Sequence, residues 1–288
     1  MSKLKLYYWN GGNFGDEINV DIWERIFPDI IDFENEYIRG ESTDIFIGIG
    51  TLLNEQIPDI NTKIIFGSGV GYGTPQIDDS WLVMFVRGPL SCEQLNIDKS
   101  NFITDPALLL VNYYEKKTIK GRIGFMPHHD SLSSLDWNKL CNQLGLMYLD
   151  PTADYNNSLR DLLSCEKVIA EAMHGAIVAD AFDIPWCAVS LHGHINTFKW
   201  LDWTKSLNVE LFINKFPGNV RLIRRNIPEI FNSLKFLFNN FLAKRLIQYV
   251  TRKGKWSLSQ NGIRKEKISK MESKIEELRL IIKDKNGV

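Results

Sequence analysis

Cysteine is scarce in this sequence, and its four copies, Cys92, Cys141, Cys165 and Cys187, form no CxxC pair and no Cys/His cluster. That spacing excludes a disulfide framework and a zinc knuckle, and fits reduced, buried thiols of a cytosolic protein. No apolar run approaches the roughly 18 residues a bilayer-spanning helix needs. The opening MSKLKLYYWNGG turns polar and Gly-rich after a few apolar residues, too soon for a signal peptide or an anchor. The expected location is therefore cytoplasmic, free or at the inner face of the plasma membrane. Internal repeats and low-complexity tracts are absent. So are a Glu-x₇-Glu pair and an Asp-x-Asp metal motif. Net charge is nearly lacking, at −1, but the charges are unevenly spread. From Val220 to Val288 there are 17 Lys/Arg and 6 Asp/Glu, so an acidic body carries a basic tail. Such asymmetry speaks of partners rather than of fold.

Through about residue 205, short apolar runs alternate with amphipathic stretches. Candidate strands are Leu4–Trp9, Asp44–Ile49, Lys63–Phe66, Trp81–Arg87, Arg122–Met126, Met147–Leu149, Val168–Ala170 and Trp186–Ser190. Most are rich in Val, Ile and aromatics and end in Gly, Pro or Asn. Helix-like stretches lie between them at Asp16–Ile26, Pro89–Leu95, Leu135–Leu144, Leu159–Cys165 and Gly175–Phe182. This alternation implies an α/β protein with parallel sheets. The polar YYEKKTIKGR segment suggests a boundary, giving Rossmann-like lobes over 1–115 and 120–210, a cleft between them, and a basic helical tail over 220–288. In the tail, Ile230, Leu234, Leu237, Phe238, Phe241, Leu242 and Leu246 share a helical stripe. Further on, Ile268, Met271, Ile275, Leu278 and Ile282 repeat at 3-4 spacing for about two heptads. Two helices packed on the body explain this best. A basic, aromatic helix on anionic lipid comes second, and a short coiled-coil dimer third.

Ligands of open α/β sheets bind beyond the carboxyl ends of strands, so the turns there hold the candidate site. Asn13 and Asp16 lie in the Gly-rich turn after the first strand, where backbone N–H groups can nest an anion. The alternative is that Asp16 simply caps the next helix. The Gly67–Gly73 turn, with Gly69 and Gly71, looks like a dinucleotide fingerprint but has Tyr72 at its last glycine position, so no nicotinamide cofactor is expected. Arg87 ends a strand and can fork onto a phosphate or carboxylate, or else form a salt bridge. His128 and His129 are adjacent. Neighbours in a strand point to opposite faces, which disfavours a shared metal, and one imidazole facing the cleft is the preferred reading. Glu171 and His174 leave a strand end together beside a new helix, whose positive end favours a neutral imidazole able to take a proton. A structural histidine is the alternative. Lys199 follows, with His192, His194 and Asp202 nearby. Trp200 and Trp203 share a helical face that suits either a sugar or a core.

Taken in order, GGNFGDEIN, FIGIGTLLN, FGSGVGYG, VRGPLS, TDPALLL, AEAMHGAIVADAFDIPW and FKWLDWTKSL resemble the polysaccharide pyruvyl transferase family, closest to the branch acting on bacterial exopolysaccharides. The resemblance runs from Gly11 to about Leu207 and leaves the tail uncovered. It implies two Rossmann-like lobes arranged as in GT-B glycosyltransferases, phosphoenolpyruvate as donor, a lipid-linked oligosaccharide as acceptor and a pyruvate ketal as product, with phosphate released. No cofactor, metal or nucleic-acid partner is implied. Some relatives carry Arg-x-His where this chain has Ala172-Met173-His174, so the donor's cation must come from elsewhere, with Arg87 or Lys199 the candidates. In the chemistry so implied, His174 takes a proton from the acceptor hydroxyl. Glu171 either protonates the enol carbon or orients His174, and His128 or His129 is the other candidate acid. Arg87 or Lys199 and the Gly-rich turns would hold the anionic donor, and Asn13, Asp16, Gly69, Gly71, His128 and His129 complete the expected substrate-binding set. Competing readings are a GT-B nucleotide-sugar glycosyltransferase and a non-catalytic glycan-binding subunit. The basic tail would add contact with an anionic membrane.

Overall fold

A computed structural model describes residues 3–34, 37, 43–60, 62–73, 75–191, 195–215 and 232–285. His192, His194 and Ile230 lie outside these residues. The chain is α/β throughout and divides into two compact units. The first takes Met1–Tyr113, Asn196–Glu210 and Ser259–Val288; the second takes Tyr114–Ile195 and Leu211–Leu258. Each unit is thus assembled from separate stretches of sequence.

The first unit is built on β1 (Leu4–Leu6), β2 (Ile31–Asp32), β3 (Ile45–Ile47), β4 (Lys63–Phe66) and β5 (Trp81–Phe85), all parallel, in the order β2-β1-β3-β4-β5. Its helices are α1 (Phe14–Ile26), α2 (Pro89–Leu95), α6 (Thr197–Ser206) and α8 (Asn261–Lys285). β3 and β4 are buried along their whole length, which is why they read as unbroken apolar runs rather than alternating ones. Beside them an aromatic cluster forms the core. Trp23 of α1 meets Phe46 and Phe66 edge-on at 4.9 and 5.4 Å, and Phe66 meets Phe85 at 4.7 Å.

The second unit repeats the plan. Its strands are β6 (Ile123–Met126), β7 (Met147–Tyr148), β8 (Lys167–Ala170), β9 (Trp186–Ser190) and β10 (Ile213–Lys215), parallel and ordered β10-β9-β8-β6-β7. Counted along its own stretch of chain, this is the strand order of the first unit again. Its helices are α3 (Trp137–Leu144), α4 (Tyr155–Leu163), α5 (Met173–Ala181) and α7 (Asn232–Lys253). Asp136 and Asp154 cap α3 and α4, accepting from Lys139 N–H and Asn157 N–H at 2.9 Å, and Gly145 ends α3 with a left-handed backbone.

The tail departs from its sequence pattern in one respect. Met271, Ile275 and Leu278 of α8 are buried as an a/d seam requires, but they pack on their own unit. There Arg279 donates to Ile26 O at 2.9 Å and Asn112 donates to Glu272 at 3.1 Å. α7 also packs inward, though mostly not by the stripe read from the sequence. Asn239, Ala243, Leu246, Ile247 and Val250 face the core, whereas Leu234, Leu237, Phe238 and Phe241 are exposed. A helix apolar on two sides gives its periodicity no single phase, so the pattern alone does not choose the buried face. Among the described residues no helix is long and apolar enough to cross a membrane.

One buried ion pair fixes the strand-end edge of the first unit. Arg87, just past β5, and Asp202 of α6 are both 0% exposed, with Nε and Oδ2 3.2 Å apart. Arg87 Nη1 also donates to Gly50 O at 3.1 Å and to Thr51 Oγ1 at 3.0 Å, and Nη2 donates to Val70 O at 3.4 Å. Asp202 accepts from Ser91 N–H at 2.9 Å and Ser91 Oγ–H at 2.6 Å. The pair therefore ties β5 and the turns after β3 and β4 to α2 and α6. A lone buried charge is expensive, so breaking the pair from one side is worse than replacing both partners. Asp202→Ala is expected to cost about 3–5 kcal/mol in urea unfolding, and the double Arg87→Met/Asp202→Leu variant distinctly less. Equal losses in the two proteins would show that the uncompensated charge is not the cause.

Candidate active site

In both units the strand order reverses once, between β1 and β3 in the first and between β6 and β8 in the second. Loops leaving neighbouring strands at such a point run in opposite directions and open a crevice at the carboxyl edge. The polar residues singled out in the sequence gather at these two places.

In the first unit, Asn13 rather than Asp16 caps α1, accepting from Gly15 N–H at 3.1 Å and Asp16 N–H at 3.3 Å. Asp16 stands in the first turn, and its carboxylate accepts from the Asn13 amide. Behind them the buried Asn19 spans the switch point. Its Oδ1 accepts from Ile49 N–H at 2.8 Å and from Trp23 Nε1–H at 3.1 Å, while its amide donates to Ile49 O at 3.0 Å. Gly69 and Gly71 permit close approach, but to the protein's own side chains. A Cβ on Gly69 would strike the Arg87 guanidinium, and one on Gly71 would press on Thr51 and Lys199.

The two cations proposed for the donor part company here. Arg87 is fully buried and its guanidinium is engaged by Asp202 and the neighbouring turns. Lys199, in the first turn of α6, is only partly buried, with its Nζ 4.1 Å from the centre of the Tyr72 ring. Burial, reinforced by the positive charge of Arg87, lowers the Lys199 pKa to about 7, and Asp16 opposes that shift. An amine so placed changes charge near neutrality. Two exposed aromatics stand on the same edge, Trp9 after β1 and Tyr72 after β4. A cavity of about 200 Å³ opens beside β1 and is lined by Tyr7, Tyr8, Asn10, Tyr37, Gln56 and Pro58, among others. Trp200 and Trp203, the aromatics that drew attention in the sequence, are buried and meet edge-on at 6.1 Å, so they belong to the core.

In the second unit, the buried Glu171 carboxylate bridges the switch point. It accepts from Ser131 Oγ–H at 2.6 Å, His128 N–H at 3.1 Å and Leu191 N–H at 2.9 Å, so it binds together the turns after β6, β8 and β9. His174 is half-buried in the first turn of α5, whose backbone begins one residue earlier, at Met173. A Cβ at Gly175 would lie 2.8 Å from Met126 Sδ, so a larger residue there would have to push the methionine aside.

His128 and His129 are not in a strand. His128 caps the 3₁₀ turn His129–Ser134, and the two rings lie side by side with centroids 4.2 Å apart. The strand-based argument against a shared ion therefore lapses. His128, His129 and Asp130 present one ligand atom each within 4.8 Å of one another, a set of nitrogen and oxygen donors that suits a divalent transition ion. The four cysteines are buried, and burial pushes each thiol up to about 12, which leaves them chemically quiet.

Comparison with known proteins agrees with the sequence motifs. The family described as "Polysaccharide pyruvyl transferase" matches residues 4–193. The succinoglycan biosynthesis protein ExoV of Rhizobium meliloti (strain 1021) is 36% identical over 226 residues, covering 76% of this chain and 69% of that protein. Among solved structures, a functionally uncharacterised protein, KP1_0663 of Klebsiella pneumoniae subsp. pneumoniae NTUH-K2044, aligns over 69% of this chain and 87% of its own, at 19% identity and a TM-score of 0.42. The family match spans both parallel sheets except β10, and it includes the Gly-rich turn before α1 and the Glu171–His174 turn before α5. The chain belongs to the polysaccharide pyruvyl transferase family.

Proposed function

We propose that this transferase moves the pyruvyl group of phosphoenolpyruvate onto two hydroxyls of one sugar in an exopolysaccharide repeat unit, forming a cyclic ketal and releasing phosphate. The observation that carries this reading is family membership joined to a partly buried histidine in the first turn of a helix at a switch point. The kinship with a succinoglycan biosynthesis protein supports an exopolysaccharide acceptor, and the lobes are taken to follow the GT-B plan.

The reaction balances as follows. A proton adds to the CH₂ carbon of the donor, giving an oxocarbenium-like centre. A first sugar hydroxyl attacks that centre and loses its proton. The carbon–oxygen bond to phosphate breaks, and a second hydroxyl closes the ring. Of the two hydroxyl protons released, one replaces the proton consumed at carbon and the other leaves with phosphate. His174 is assigned the hydroxyl proton, with the N–H groups of the first turn of α5 favouring negative charge beside it. Glu171 is assigned a positioning role, because its carboxylate is already held by Ser131, His128 N–H and Leu191 N–H. His128 or His129, more exposed, is the better candidate to deliver the proton to carbon.

Two further features of the first unit support an anionic donor and a sugar acceptor. Lys199 offers an adjustable positive charge, while Arg87, paired with Asp202, holds the turns that frame it. Trp9 and Tyr72 offer exposed aromatic faces of the kind on which sugar rings stack, and Trp9 stands in sequence between Tyr8 and Asn10 of the cavity lining.

Phosphate release from phosphoenolpyruvate, with the pyruvyl adduct followed by mass spectrometry on a panel of lipid-linked and free oligosaccharides, tests the function directly. Nucleotide release from a sugar donor would instead identify a glycosyltransferase. His174→Ala is expected to lower kcat by about 10²–10⁴-fold with donor KM little changed. Turnover within a few-fold of the unmodified enzyme would remove His174 from proton transfer. With its pKa lowered to about 7, Lys199 loses its charge progressively as pH rises through neutrality. If it holds the donor, donor KM rises as pH climbs from 7 to 8.5, and Lys199→Met raises KM at pH 6.5 by about 10-fold while flattening that rise. An unchanged slope in the variant would assign the pH dependence to another group. Trp9→Ala is expected to raise acceptor KM several-fold and leave donor KM alone; the reverse pattern would move the sugar elsewhere.

A further inference from the structure

We infer that the outer face of α7 is a membrane-docking surface that inserts its apolar side chains into an anionic bilayer. The helix belongs to the second unit and is seated there by Asn239, which donates to Ser134 O at 3.0 Å, and by Ala243, Leu246, Ile247 and Val250 in the core. A helix anchored in this way would ordinarily turn a polar face to water. Here the opposite face presents Leu234 (62% exposed), Leu237 (66%), Phe238 (44%) and Phe241 (55%), positions three and four apart that form one stripe. Farther along the same face come Arg245, Tyr249 and Arg252, all exposed. Contiguous exposed apolar area of this kind marks an interaction surface.

The charges say what kind of surface meets it. α7 has no acidic residue, and of its basic ones Arg245, Arg252 and Lys253 are exposed and Lys244 half-buried, while Lys235 is buried. From Lys215 to Lys253 the sequence has nine Lys/Arg against the single Glu229. The Arg245 guanidinium lies 4.9 Å from the Phe241 ring centre, so cation and aromatic occupy one patch. Apolar side chains that enter an acyl layer, flanked by Lys, Arg and Tyr at headgroup depth, are what an interfacial helix requires. α8 serves as a control within the same chain. Its outer face pairs its charges, Lys270 with Glu266, Lys274 with Glu277 and Arg279 with Glu276, as a helix in water does.

The inference stands on this surface alone and does not depend on the donor chemistry. The full chain is sedimented with vesicles of phosphatidylcholine, with and without about one-third phosphatidylserine, at low and high salt. Binding is expected to the anionic vesicles at low salt, weakening about 10-fold or more in 0.5 M salt. Leu237→Ser/Phe241→Ser and Lys244→Glu/Arg245→Glu should each reduce binding about 10-fold, with circular dichroism and phosphate release on a water-soluble acceptor unchanged. The four native thiols are buried, so a polarity-sensitive dye on Leu237→Cys should report this position alone and shift to the blue on anionic vesicles. Absence of binding at low salt, equal binding to neutral vesicles, or variants that bind as the unmodified protein does would each overturn the proposal. So would a concentration-dependent dimer, abolished by the Leu237→Ser/Phe241→Ser change, in a protein that ignores lipid. Phosphate release bears only on the function proposed above, so either reading can fail while the other holds.

Discussion

A parallel strand cannot return through a hairpin, and from that constraint the rest of this molecule follows. Every connection has to climb back over a face of the sheet, and the order in which strands are laid down decides where the climbing loops part. Both units lay theirs down in the same order, so each has one place where adjacent loops diverge. The polar backbone ends left there need internal partners. Asn19 supplies them in one unit and Glu171 in the other, each a buried side chain hydrogen-bonded across the gap. The same architectural problem is solved with an amide in one case and a carboxylate in the other.

The cations near the first unit's crevice divide the labour by burial. Arg87 keeps a permanent charge in place with its own counter-ion, and it fixes the turns after β3 and β4. Lys199 lacks so tight an arrangement, and its charge is set by desolvation and by its neighbours. A rigid charge builds the frame and an adjustable one stays available to a ligand. A charge count that treats Lys and Arg alike hides this difference.

Much of the layout was legible in the sequence because buried parallel strands are continuous apolar runs. Lys63–Phe66, Trp186–Ser190 and Pro89–Leu95 fall where the pattern put them. β2 and β10, two and three residues long, are too short to rise above background. The strand-end turns were visible through their clustered glycines and polar residues, and these bring His174, Glu171, Asn13 and Asp16 to the crevices. What those side chains touch was not visible. Asp202 sits between two tryptophans in an ordinary helical stretch, and nothing local marks it as the partner of a residue 115 positions away. Trp9 was read as the end of a strand and turned out exposed beyond it. The outward stripe of α7 was read as core for a related reason: hydrophobicity tells which residues avoid water, not which surface they avoid it against.

The interleaving of the two units bears on biosynthesis. α6, from the middle of the chain, and α8, near its end, both return to the unit that begins at the first residues. That unit has its sheet as soon as β5 leaves the ribosome, yet Arg87 has no counter-ion until Asp202 is made, and Ile26 O waits for Arg279. Vectorial synthesis thus leaves a finished sheet waiting for two of its covering helices. Neither unit corresponds to a contiguous gene fragment, so the two would have to be inherited, lost or recombined together.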